Sequence, residues 1–246
     1  MVIQIMTYMN MDYKLIACGC SNTFGQALPD VWDKNRQDAI FIRSSKFAWP
    51  QVLANKLNID CVNKSRPGSS NKEIWNAILN GPQHWKQPKQ EYSNKHIVII
   101  LWTFINRFCF LESDDYHRDI RPKEIRVDEV KQLGTWWAES GDKTDERREN
   151  SKIFFKYFFN ERDLLMDFYL RVNHVDTFLK GKVKKVVHCL QDDLYKPEPE
   201  WNNVEFYDEW KNIDDTYDKA EDGIHEGIDK HEKFAISLYN EIIDEL

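Results

Sequence analysis

The stretch YKLIACGCSNTFG, Tyr13 to Gly25, runs from an apolar segment straight into small and polar residues. Its first half is short and rich in apolar side chains, the signature of a buried strand. Its second half holds Gly19, Ser21, Asn22 and Gly25, ordinary turn chemistry. The same pattern recurs in HIVIILWT from His96 and VKKVVHCL from Val183. DCVNKS from Asp60 reads as a weaker fourth strand and NVEFYDEW from Asn203 as a fifth. Helical patterns lie between them, and this alternation predicts a doubly wound parallel sheet.

FAWPQVLANKLN fits a helix with Pro50 in its first turn, where a missing N–H costs little. NKEIWNAIL fits a second helix. Phe154, Phe158, Leu165, Phe168, Val172, Val175 and Leu179 recur at helical spacing and predict one long third helix, with the Phe-rich run FFKYFF in the core. Ile228, His231, Ala235, Leu238 and Ile242 predict a last helix that closes the domain. Residues 107–150 are charged and lack strong periodicity apart from one aromatic island, and read as an insertion over the C-terminal edge of the sheet.

The 246 residues suffice for one domain with a buried sheet, and 1–246 is read as a single domain. A net charge of -7 argues against nucleic acid as the main partner. The five cysteines are odd in number and mostly sit in or beside strand-like runs, as expected of buried thiols in a reducing compartment rather than a disulfide framework. No signal-peptide pattern and no run of membrane-spanning length occurs, so a cytoplasmic protein without a membrane partner is expected. Association with a virus particle or a cell envelope stays open, as does the oligomeric state.

In an open parallel sheet, ligands bind beyond the carboxyl ends of the strands. Four features fall there or beside it: Ser21 after the first strand, PGSSN (Pro67 to Asn71) after the second, TFINR (Thr103 to Arg107) after the third, and DGIH (Asp222 to His225) before the last helix. Together they hold a hydroxyl, backbone donors, an amide and an acid–imidazole pair. GCSNTFG, PGSSN and DGIH resemble, in order and approximate separation, three blocks of the SGNH, or GDSL-like, hydrolases. Two departures stand out. Cys20 occupies the place of the aspartate before the nucleophile, and TFINR replaces Gly-x-Asn-Asp, with Phe104 at the glycine and Arg107 at the aspartate.

The resemblance implies a three-layer α/β/α flavodoxin-like sandwich with a parallel sheet of about five strands. It also implies an esterase with Ser21 as nucleophile, His225 as base and Asp222 orienting the imidazole. The oxyanion would be held by the N–H groups of Ser21 and Gly68 and by the Asn106 amide, or by Thr103 if that loop is shifted. A hydroxyl needs such a base to become nucleophilic, and an imidazole accepts a proton near neutral pH. No metal and no cofactor is expected, and the partner would be a small ester or an acylated, for example acetylated, carbohydrate.

Plainer readings stand beside these. Ser21 fits a strand-ending turn, Asn71 a helix cap or loop brace, Asn106 a loop asparagine, and Asp222 and His225 a cap and a surface residue. Trp136 and Trp137 fit either a substrate-stacking surface or an anchor for the insertion. A catalytically weak or inactive scaffold keeps the same blocks. A metal-dependent hydrolase would draw on His225, Glu226, Asp229 and His231 in DGIHEGIDKH, although His231 also lies on the apolar stripe of the last helix.

Overall fold

The computed structural model describes residues 12–80, 91–111, 130–133, 152–153, 155–191, 204–214 and 218–246. Five parallel strands form the main sheet: β1 (Lys14–Cys18), β2 (Asp60–Asn63), β3 (His96–Trp102), β4 (Lys185–Leu190) and β5 (Phe206–Tyr207). Their order across the sheet is β2-β1-β3-β4-β5, so the chain reverses its direction of travel after β2. In register, Lys14 of β1 faces Asp60 and His96, and Ile97 of β3 faces Lys185.

Central β3 is buried without a break from Ile97 to Trp102. That is why it reads in sequence as an unbroken apolar run: a strand covered on both faces has no solvent side for polar residues. The period-two alternation of side chains sends Leu15, Ala17, Ile97, Ile99 and Leu101 to one face. Ile16, Cys18, Val98, Ile100 and Trp102 go to the other.

The helices are α1 (Ser21–Phe24), α2 (Trp49–Leu57), α3 (Asn71–Asn80), α4 (Glu161–Leu179), α5 (Glu209–Asn212) and α6 (Ile228–Ile242). The first face is covered by Trp49 and Leu53 of α2, Trp210 of α5 and Phe234 and Leu238 of α6. The second is covered by Ile74 and Ile78 of α3 and Phe168, Val172 and Leu179 of α4. The result is the expected three-layer α/β/α sandwich. Each fully buried Leu, Ile or Phe contributes about 1.5–3 kcal/mol relative to exposure, and both layers depend on such residues.

The apolar stripe that predicts one long helix from Phe154 to Leu179 is interrupted. Asn160 accepts hydrogen bonds from the Arg162 and Asp163 N–H groups and starts α4 there. Tyr157 and Phe158 upstream of this cap are exposed and Phe155 and Phe159 only half-buried, so the described part of the FFKYFF run lies outside the buried core expected for it; Phe154 lies outside the described residues. Within 107–150, Phe108–Leu111 pairs antiparallel with Val130–Leu133. The rest of that stretch, including Trp136 and Trp137, lies outside the described residues. All five cysteines are free thiols, and four of them are buried. Among the described residues no helix is long and apolar enough to cross a membrane.

Candidate active site

The passage from β1 into α1 is set by Gly19. A Cβ there would fall 2.0 Å from Thr23 Oγ1 and 3.0 Å from the Leu101 carbonyl oxygen, so only glycine lets the chain turn this tightly. Ser21 is therefore the first residue of a one-turn helix at the carboxyl end of β1. The turn closes through Phe24 N–H to the Cys20 carbonyl and Gly25 N–H to the Ser21 carbonyl, both at 2.9 Å. Gly25 ends it in the left-handed region at φ 75°.

The segment after β2 is tied to this turn. Lys64 N–H donates to the Ala17 carbonyl, Arg66 N–H to the Gly19 carbonyl, and Asn63 Nδ2 to the Thr23 carbonyl. Gly68 lies in the loop that follows, at φ 78°. Among the described residues neither the Ser21 nor the Gly68 N–H has a hydrogen-bond partner. Ser70 and Glu73 then form a capping box that starts α3: Ser70 N–H and Oγ donate to Glu73 Oε2, and Glu73 N–H donates to Ser70 Oγ.

Asn71 acts as the loop brace. Its Nδ2 donates to the Thr103 carbonyl at 2.9 Å and its Oδ1 accepts from the Thr103 N–H at 2.8 Å. Thr103 is fully buried just past β3, and its Oγ1 has no hydrogen-bond partner. Asn106 is half-buried in the turn closed by Arg107 N–H to the Phe104 carbonyl.

Asp222 and His225 form a compact unit. Asp222 Oδ1 accepts from the N–H groups of Ile224 and His225, and Asp222 Oδ2 lies 2.6 Å from His225 Nδ1. Burial raises the Asp222 pKa, but the hydrogen bonds from His225 and Ile224 outweigh it and hold the carboxyl below its usual value. With this carboxylate accepting at Nδ1–H, His225 Nε2 is left as the ring's acceptor. The loop docks onto the chain leaving α1: Glu221 N–H donates to the Ala27 carbonyl, and Ala220 packs with Ala27 and Leu28. The Asp218 carboxylate accepts from Ile228 N–H and Asp229 N–H and caps α6.

The structure thus gathers Ser21, Gly68, Thr103 and Asn106 at the carboxyl edge of the sheet and anchors the Asp222–His225 loop to the segment after Ser21. It does not join Ser21 to His225 directly. Ser21 is 2% exposed, and its hydroxyl contact is Cys20 Sγ at 3.9 Å. Cys20 Sγ in turn donates to Gln191 Oε1 at 3.1 Å, just beyond β4. Gln191 is a contact that no sequence pattern announced, because it depends on where the sheet order places the end of β4.

His225, Glu226, Asp229 and His231 do not converge on one point. His231 Nδ1 accepts from the Trp49 N–H at 3.1 Å inside the core, and Glu226 pairs with Lys219 and Lys230. Among the described residues no group of three or more His, Cys, Asp or Glu is placed to hold a metal.

No protein-family model and no curated protein matches the sequence. Solved structures do. A carbohydrate esterase whose active site displays divergent catalytic and non-catalytic binding functions superposes with a TM-score of 0.50 at 9% identity, over 95% of this chain and 65% of that one. A catalytic mutant of an acetylxylan esterase from Geobacillus stearothermophilus gives 0.44 at 15% identity, over 94% of each chain. A G-D-S-L family lipolytic protein from Desulfitobacterium hafniense gives 0.32 at 12% identity, over 93% of this chain and 72% of that one. At such identities the similarity shows the fold: this chain has the α/β architecture found in the carbohydrate esterase, and spans slightly under two thirds of that protein's length.

Proposed function

We propose that the protein is a serine-dependent carboxylic ester hydrolase that acts on a small or carbohydrate O-acyl ester. The observation that carries this reading is the Asp222–His225 pair, 2.6 Å apart, on a loop hydrogen-bonded to the chain that leaves the Ser21 turn. The fold shared with a carbohydrate esterase supports the substrate class.

Ser21 Oγ turns from Cys20 towards His225 Nε2 when substrate binds and attacks the ester carbonyl as the imidazole takes its proton. Asp222 holds the ring in the tautomer this requires and stabilises the imidazolium. The oxyanion forms against the N–H groups of Ser21 and Gly68, with the Asn106 amide as third donor and Thr103 as the alternative. The imidazolium then protonates the departing alcohol, leaving an acyl-serine. Water, deprotonated by His225, attacks that intermediate, and collapse releases the carboxylic acid and restores Ser21. No step calls on a metal or cofactor.

A binding scaffold is the second reading, favoured by the missing Ser21–His225 hydrogen bond and by the replacement of Gly-x-Asn-Asp with TFINR. Catalytic hydrogen bonds in unliganded sites are often long, so this geometry alone does not decide. Fluorophosphonate labelling combined with 4-nitrophenyl acetate turnover separates the two. A hydrolase is labelled at Ser21 and loses both signals in Ser21→Ala; a scaffold shows neither signal in the unmodified protein.

A further inference from the structure

A cleft opens between the first turn of α3, the loop after β3 and the middle of α4, lined by Asn71, Lys72, Ile105, Arg107, Asp167 and Arg171 among others. Its cavity volume is about 20 Å³. A water needs about 10–15 Å³, so the cavity takes one small polar group and no ring.

The charges around it do not balance. Arg171 is paired with Asp167 at 2.7 Å. Lys72 has no carboxylate partner among the described residues, and the neighbouring Glu73 is taken by Arg66 and Ser70. Arg107 stacks its guanidinium 5.1 Å over the Phe104 ring, and its Nη1 is buried with no hydrogen-bond partner. Cys109, also on the lining, supplies no compensating charge, because burial pushes its thiol up to about 11. Three cations therefore face one carboxylate, and a buried guanidinium N–H is left without an acceptor. A buried donor of this kind destabilises the site unless something accepts from it.

We propose that this cleft binds an oxyanion carried by the substrate, so that the ester hydrolysed is one on an acidic molecule such as an acylated sugar acid. Arg107 presents the planar donor fork that suits a carboxylate or phosphate, and Lys72 adds a second positive charge. The position suits this role, since Asn71 lines the cleft and grips Thr103, and Arg107 directly follows Asn106. An anion held here sits one residue along the loop from the candidate oxyanion donor. The inference rests on the hydrolase reading for its substrate and on the cleft alone for its ligand chemistry.

Calorimetry with galacturonate, galactose 6-phosphate, galactose and sodium sulfate tests it on the intact protein. One or both acidic sugars should bind about tenfold or more tighter than galactose, the effect of a charge-assisted hydrogen bond, and added salt should reduce that gap. Comparing the two acidic sugars tells carboxylate from phosphate. Lys72→Gln and Arg107→Gln should each remove most of the preference, and Arg107→Lys, which keeps the charge, should retain part of it. Equal affinity for galactose and both acidic sugars, a preference untouched by both glutamine substitutions, or binding of sulfate alone would overturn the inference. Turnover of 4-nitrophenyl acetate, which carries no acid, reads the hydrolase separately. Ser21-dependent turnover without an acid preference defeats only the cleft; an acid preference lost in Arg107→Gln without any turnover defeats only the hydrolase and leaves the anion site standing.

Discussion

Asn71 grips both the N–H and the carbonyl of Thr103, at 2.8 and 2.9 Å, with one carboxamide. A single side chain from the start of α3 therefore fixes the backbone at the end of β3. Asn71→Ala leaves two buried backbone groups without partners and should cost about 2–4 kcal/mol in urea unfolding. It should also lower turnover, since the loop that carries Asn106 starts at the residue released.

The third oxyanion donor can be assigned by kinetics. Asn106→Ala should lower kcat roughly a hundredfold with little change in KM if its amide bonds the oxyanion, because that hydrogen bond forms mainly in the transition state. The same loss at Thr103→Val would give the role to the buried hydroxyl. Neutral results at both positions, with Ser21→Ala still inactive, would leave the hole to the Ser21 and Gly68 N–H groups.

Asp222→Asn tests the orienting role without removing the side chain. The amide oxygen can still accept from the Ile224 and His225 N–H groups, but the side chain carries no charge to stabilise an imidazolium, so kcat should fall roughly a hundredfold or more. Melting temperature should change little near neutral pH if the residue serves catalysis. A large loss of stability with turnover intact would make Asp222 a loop brace.

Acid sensitivity should trace to the core rather than to this pair. Burial, helped by Lys230 and His225, lowers the His231 pKa from 6.5 to about 3. Below pH 6.5 the unfolded chain takes up a proton that the folded one refuses. Stability is therefore complete above that pH and falls by about 1.4 kcal/mol per pH unit down to about pH 3. His188, its pKa also lowered by burial, steepens the fall. The lowered Asp222 pKa adds stability that is present above its ordinary value of 3.8 and is lost as the pH falls below it, so Asp222 joins the acid loss only there. Thermal melts across pH 7 to 4 should show a shallower slope in His231→Gln, which keeps an acceptor for Trp49 N–H but cannot titrate there.

The strands were legible because each buried strand has no polar side, as in HIVIILWT, and the helices α2, α3 and α6 because their apolar stripes are unbroken. The start of α4 was not, since helical spacing runs on through Phe158 while a local contact, Asn160 on Arg162 and Asp163, decides where the helix begins. Ser70 and Glu73 carried a readable signal, a serine three residues before a glutamate, for the α3 cap. Asp222 and His225 were legible as a pair because they are neighbours in one turn. Lys72, Arg107 and Arg171 were not, because their shared cleft exists only once α3, the loop after β3 and α4 are packed. The Cys20–Gln191 contact has the same origin: β3 lies between β1 and β4, and no local pattern carries that order.

The hydrogen bond from Glu221 to Ala27 joins segments that are far apart in the chain. During synthesis Ser21 leaves the ribosome well before His225, its prospective base, is made. A nascent chain stalled before Ile228 lacks the α6 residues that cover one face of the sheet, Phe234 and Leu238 among them. On the proposed hydrolase reading, acyl-transfer competence would appear only once α6 covers the sheet, so labelling at Ser21 would report that docking step.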